Sequence, residues 1–223
     1  MPSLAARLRF LLGVTLVATA LLASTNQSAT PDPEKGFEWV TYGSSFKLTH
    51  RATQTKLYSK DVRYGSGSGQ RSVTAVAKKD DPVSLWTVQG PISNDATNAP
   101  PVRGTKVPCG ATVRLQHVTS MKFYLHSHNF QSPLSQQFEV SAFDGVDGGD
   151  HWVLECAKGE SHWLREKPVF LRHVDTQGYL AAAAEHKYSS PIDGHLEVVG
   201  AKRRGDQAKW VAEDGFYFQA REA

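Results

Sequence analysis

Val113-Arg114-Leu115-Gln116-His117, followed by Tyr124-Leu125-His126-Ser127-His128, is the most legible copy of a pattern written three times. Upstream, Phe46-Lys47-Leu48-Thr49-His50 precedes Leu57-Tyr58-Ser59-Lys60; downstream, Val169-Phe170-Leu171-Arg172-His173 precedes Tyr179-Leu180-Ala181. Each copy sets an apolar residue, Leu and His at alternate positions, the period of a half-buried strand rather than of a helix. About two dozen residues after each His come Val73-Thr74-Ala75, Val140-Ser141-Ala142 and Val198-Val199-Gly200, and each run leads to a Trp, at Trp86, Trp152 and Trp210. One structural unit is used three times.

The chain has 223 residues, 40% of them hydrophobic, with 18 Gly and 11 Pro as punctuation. That is enough for a real core in one domain or two small ones. The formal charge of +3 includes Arg7 and Arg9, which fall in a segment expected to be removed; without them 23 of the 25 basic residues face 22 acidic ones. A near-neutral body with a single basic cluster, Lys202-Arg203-Arg204, lacks the basic stripe of a nucleic-acid binder. That cluster reads as a solvated turn.

Residues 1–24 read as a secretory signal peptide: Arg7 and Arg9 form a basic start, Phe10 to Ala23 an apolar run, and small residues near Ala20 and Ala23 offer cleavage sites. The apolar run is shorter than the ~20 residues that span a bilayer, which favours cleavage over the alternative of an uncleaved anchor, and no second run follows, so the mature chain is expected to have no membrane span. Residues 25–39 form a polar leader that includes Asn26-Gln27-Ser28, in form an N-glycosylation sequon. In the oxidising compartment this implies, the two cysteines, Cys109 and Cys156, are expected to form one bridge around the central repeat.

The three copies are expected at about 40–90, 107–155 and 164–214, within a body spanning 40–217 and followed by a tail at 218–223. Helical periodicity is missing after the leader; only Ala181 to Lys187 has helix-forming composition. Three units of about four short strands each satisfy the arithmetic of an all-β fold, a β-trefoil with pseudo-threefold symmetry. Leu48, Leu115 and Leu171 would point into a shared core beside Leu57, Leu125 and Leu180, with the three Trp residues closing each unit. His50, His117 and His173 recur with the core leucines and read as buried structural imidazoles, because a packing position is needed in every copy and a site seldom is.

His126 and His128 occur in one copy only, on one face of a strand, near Tyr124 and Asn129. Two imidazoles could begin a zinc site, yet no third ligand stands at a suitable spacing, so no metal is assigned. A polar and aromatic pocket for a client or for sugar hydroxyls is the expected use. Tyr64-Gly65-Ser66-Gly67-Ser68-Gly69-Gln70 leads into a strand and not into a helix, so it is no phosphate cradle. The acidic run Asp144-Gly145-Val146-Asp147-Gly148-Gly149-Asp150 lacks EF-hand spacing and reads as a turn. No paired carboxylates suggest a glycosidase, which remains a remote alternative, and no Gly-x-Ser-x-Gly elbow is present. No catalytic residue and no cofactor is assigned.

Leu125-His126-Ser127-His128, the segment from Asp61 to Gln70, and Glu139-Val140-Ser141-Ala142-Phe143 ahead of Asp150-His151-Trp152 closely resemble the stromal cell-derived factor 2 family, a signal peptide followed by three MIR motifs. The resemblance covers about Val40 to Tyr217. It implies a non-enzymatic protein of the endoplasmic reticulum lumen that assists folding and quality control of client glycoproteins, with a lumenal J-domain co-chaperone and its heat-shock ATPase. A lectin-type module recognising mannose-type glycans is the alternative. The Leu-His-Ser-His signature stands only in repeat two, against Leu57-Tyr58-Ser59-Lys60 and Leu180-Ala181-Ala182-Ala183, so the expected contacts are Tyr124, His126, His128 and Asn129. The C-terminal residues from Gln219 to Ala223 carry no KDEL-type signal, which keeps secretion open as an alternative to lumenal residence.

Overall fold

The computed structural model describes residues 34–221, apart from 79 and 93–98. The expected signal peptide and Asn26 lie outside the described residues. Repeat one contributes β1 (Ser45–His50), β2 (Lys56–Tyr58), β3 (Arg71–Ser72), β4 (Thr74–Val76) and β5 (Leu85–Gln89). Repeat two contributes β6 (Thr112–His117), β7 (Tyr124–Gln131), β8 (Phe138–Phe143) and β9 (Trp152–Glu155). Repeat three contributes β10 (Pro168–His173), β11 (Tyr179–Lys187), β12 (Leu196–Ala201) and β13 (Trp210–Phe216). The run from Ala181 to Lys187 is strand: the ladder from Tyr179 to Ala182 against β12 overrides the local helical composition.

Six strands close a ring: β1 pairs β5, β5 pairs β6, β6 pairs β9, β9 pairs β10, β10 pairs β13, and β13 returns to β1, all antiparallel. Closure leaves this barrel without an open edge. The hairpin pairs β2–β4, β7–β8 and β11–β12 form the cap and are stitched together because β12 also pairs β4 and β8 while β3 pairs β8. The fold is a β-trefoil. Leu48, Leu115, Leu171, Leu57, Leu125 and Leu180 are all fully buried in one core, each stabilising by about 1.5–3 kcal/mol relative to an exposed side chain.

Three sets of bonds obey the pseudo-threefold relation. First, Val40 N donates to Trp163 O at 2.8 Å, Trp163 N to Val107 O at 2.9 Å, and Val107 N to Val40 O at 3.0 Å, a closed cycle that links the entries of the three repeats. Second, Trp86, Trp152 and Trp210 donate their Nε1 protons to the carbonyls of Leu57, Leu125 and Leu180 at 3.1, 3.0 and 2.8 Å. Third, Nε2 of His50, His117 and His173 donates to the carbonyls of Gln207, Val83 and Gly149, each in the short 3-10 turn that ends a neighbouring repeat. A carbonyl can only accept, so these rings carry their proton on Nε2. Burial is the leading cause that lowers the pKa of all three.

Cys109 and Cys156 are joined by a disulfide across 47 positions, bracketing repeat two. Residues beside the 40–217 span pack with it and with each other: Arg221 N donates to Gly104 O and Thr41 Oγ1 to Phe218 O, while Ala220 N donates to Gly36 O. Arg204, from the basic cluster, lies 4.0 Å over the Phe170 ring and 3.4 Å from Glu155. No helix among the described residues is long and apolar enough to cross a membrane.

Candidate functional site

β7 begins as a regular partner of β8, and its register shifts between Ser127 and Gln131. The strand thus leaves the ladder where His128, Asn129 and Phe130 stand, which releases these side chains from the core. His126, one position before the break, is 4% exposed. Its ring lies 5.4 Å from that of His128 and 4.9 Å from that of Phe143. The two histidines therefore differ: one is a buried wall, the other a partly open rim.

Each imidazole is backed by a carboxylate. His126 Nδ1 lies 3.1 Å from Asp150 Oδ1 and 3.5 Å from Asp147 Oδ1. His128 Nε2 lies 3.3 Å from Glu139 Oε1. Asp150 and Glu139 are fully buried, and a buried carboxylate is costly without donors around it. Glu139 also accepts from Ser68 Oγ, so the glycine-rich loop of repeat one leans on the site. Gly67 there has φ +63°, and a Cβ would fall 2.2 Å from Glu139 Oε2, so only glycine fits.

The 3-10 turn Gly148–Asp150 places the acidic residues. Asp147 caps it by accepting from Gly149 N at 2.9 Å, which holds its carboxylate on the His126 side. The His126 ring rests on Gly149, where a Cβ would come within 2.2 Å of Cε1. The carbonyl of Gly149 accepts from His173. Asp175 and Thr176, in the turn after β10, complete an open pocket of 350 Å³ with His126, His128, Asn129 and Asp147. The site thus spans the junction of repeats two and three.

Of the four contacts expected from the sequence, the fold gathers His126, His128 and Asn129 and leaves Tyr124 outside the pocket lining. By alternation Tyr124 shares the strand face of the two histidines, but four residues at ~3.3 Å each carry it about 13 Å from His128. Its ring lies instead under the Arg114 guanidinium, 4.6 Å away. The residues that the motifs do not assign to the site are Glu139, Asp147, Asp150 and Asp175; the acidic run that holds Asp147 and Asp150 reads as a turn. One signal was available: two positions before the repeat Trp stand Ser84, Asp150 and Ala208, so the carboxylate occurs only in the copy that carries His126. In repeat three the corresponding pair is Ala181 and Ala208, packed in one small apolar cluster.

Set against known proteins, the chain is 43% identical over 186 residues to the stromal cell-derived factor 2-like protein of Dictyostelium discoideum, covering 80% of this chain and 84% of that one. It is 42% identical to stromal cell-derived factor 2-like protein 1 of Homo sapiens, with 82% and 80% covered. The chain belongs to the stromal cell-derived factor 2 family. No protein-family model matches the sequence. The crystal structure of the SDF2-like protein from Arabidopsis thaliana superposes with a TM-score of 0.76 at 39% identity, over 82% of this chain and 99% of that one. A chain of the Saccharomyces cerevisiae protein O-mannosyltransferase Pmt1-Pmt2 complex bound to the sugar donor superposes with a TM-score of 0.70 at 25% identity, over 87% of this chain and 28% of that one. Family membership and the disulfide both fit a secretory-pathway protein.

Proposed function

We propose that this member of the family is a non-catalytic adaptor of the endoplasmic reticulum lumen, assisting the folding and quality control of secretory glycoproteins with a J-domain co-chaperone and a lumenal heat-shock ATPase. Membership at about 40% identity over four-fifths of the chain carries the reading. The site suits a surface that holds rather than one that reacts. Asp147 and Asp150 are engaged by Gly149 N and His126, and Glu139 by Ser68 and His128. Phe130, 52% exposed, packs edge-on to His128 at 4.8 Å and gives the polar pocket an apolar rim for an unfolded segment.

A glycan-binding reading has one observation in its favour: the pocket offers Asn129, Asp147, Asp175 and Thr176 as hydrogen-bonding groups beside imidazole faces, a combination suited to sugar hydroxyls. One experiment separates the two. Tagged mature protein is used for affinity capture from secretory-pathway lysate, with and without mannose-rich oligosaccharide. The adaptor reading expects a J-domain co-chaperone that survives the sugar and whose clients are reduced in a His126→Ala, His128→Ala variant. Capture of glycoproteins alone, released by the sugar, replaces it with the lectin reading.

A further inference from the structure

We propose that His126, Asp147 and Asp150 form a binding site for a divalent transition-metal ion of the zinc type. The three donor atoms, one imidazole nitrogen and two carboxylate oxygens, all lie within 4.8 Å of one another. His126 Nδ1 stands 3.5 Å from Asp147 Oδ1 and 3.1 Å from Asp150 Oδ1. Zinc bound to nitrogen and oxygen at ~2.0–2.1 Å holds tetrahedral ligands about 3.3 Å apart, so the two separations from His126 need little adjustment, and the two carboxylate oxygens stand within 4.8 Å of each other.

A cluster of this kind could be no more than a hydrogen-bonded histidine, and a second observation argues against that. Asp150 is fully buried, and its other oxygen, Oδ2, has no hydrogen-bond partner in the structure. A carboxylate oxygen withdrawn from water and left unpaired is costly, the more so because the group is charged. Hydrogen bonding to His126 leaves that cost standing; a cation beside the carboxylate offsets it. The pseudo-threefold relation points the same way. A residue pair serving the fold should recur, yet the matching places hold Tyr58 with Ser84 and Ala181 with Ala208, neither of which offers such a donor set.

The donor chemistry selects the ion. One imidazole with two carboxylates suits zinc or a neighbouring first-row metal, whereas calcium takes six to eight oxygens. His126 Nδ1 is the ring nitrogen that faces both carboxylates, so it is the atom that would ligate. Asp147 is the solvent-facing ligand, its side chain 54% exposed, and the fourth position opens toward the 350 Å³ pocket. This inference does not rest on the adaptor reading, since it concerns the isolated chain without partner or client.

The test is isothermal titration of chelator-treated, purified mature protein with Zn²⁺, and separately with Ca²⁺, at neutral pH. Wild type is expected to take up zinc saturably, one ion per chain, with no calcium uptake. Asp147→Asn keeps the oxygen that caps Gly149 and should fold normally while binding zinc tenfold or more weakly. His186→Ala, remote in sequence from the cluster on β11, should bind as wild type. Absence of saturable zinc uptake, a calcium preference, uptake unchanged in Asp147→Asn, or uptake lost in His186→Ala would each overturn the proposal.

Discussion

Trp210, in the last strand of repeat three, stands directly across the ladder from His50, in the first strand of repeat one, their ring centroids 5.0 Å apart. The same pairing joins Trp86 to His117 and Trp152 to His173, at 4.9 Å in both cases. Each repeat thus offers its terminal Trp to the first His of the next, and the Trp210–His50 pair closes the ring. The recurrent residues are bonds between units as much as members of them.

The three Trp→Phe variants form one test of this. Each removes an indole N–H from a buried carbonyl, at Leu57, Leu125 or Leu180. A buried acceptor left unpaired costs about 1–3 kcal/mol. Similar losses for Trp86→Phe, Trp152→Phe and Trp210→Phe in urea unfolding are expected; one large and two negligible losses would mean that closure depends on a single junction.

Stability should fall as the medium is acidified from about pH 6.5. The folded-state pKa values of His50, His117 and His173 lie below the ordinary 6.5, burial being the main cause. Below that pH the unfolded chain therefore binds more protons than the folded one, and the stability present above it is lost as pH falls toward the folded values. Each such histidine contributes a slope of up to about 1.4 kcal/mol per pH unit. Urea midpoints at pH 7.5 and 5.5 read the effect, and equal midpoints would contradict it.

Breaking the disulfide by Cys109→Ser with Cys156→Ser should cost about 4 kcal/mol by the chain-entropy argument for a loop of this length. Because the bridge ties the ends of repeat two, hydrogen exchange is expected to quicken most within 107–155. Uniform acceleration along the chain would place the effect elsewhere.

Gly149→Ala should damage the pocket from beneath. The new methyl would meet the His126 ring at 2.2 Å, and a forced shift of this sort costs about 1–3 kcal/mol. Client capture should fall to the level of the His126→Ala, His128→Ala variant although neither histidine has been changed. Unaltered capture with unaltered stability would show that the ring moves aside freely.

Glu197→Ala should loosen a hairpin it does not belong to. From β12 its carboxylate accepts from Leu134 N at 2.7 Å and Ser135 N at 2.9 Å, holding the β7–β8 turn. Loss of two charge-assisted bonds is expected to cost about 2–3 kcal/mol or more. The amides of Leu134 and Ser135 should exchange faster before the rest of the barrel does.

The sequence by itself determined the number of units and their common core. Leu48, Leu115, Leu171 and the three Trp residues recur at intervals that any strand-forming unit must respect, because a period of two fixes which side chains are buried. It also supplied the minimal cysteine count that reads as one bridge. Only the tertiary structure decided what surrounds His126. Asp147 and Asp150 arrive from a turn beyond β8, Glu139 from β8, and Asp175 with Thr176 from the next repeat. Closing the barrel brings these segments together, and no local period records it. The same closure left Tyr124 out of the pocket and joined Val40, Val107 and Trp163 in a cycle of backbone bonds that side-chain patterns do not encode.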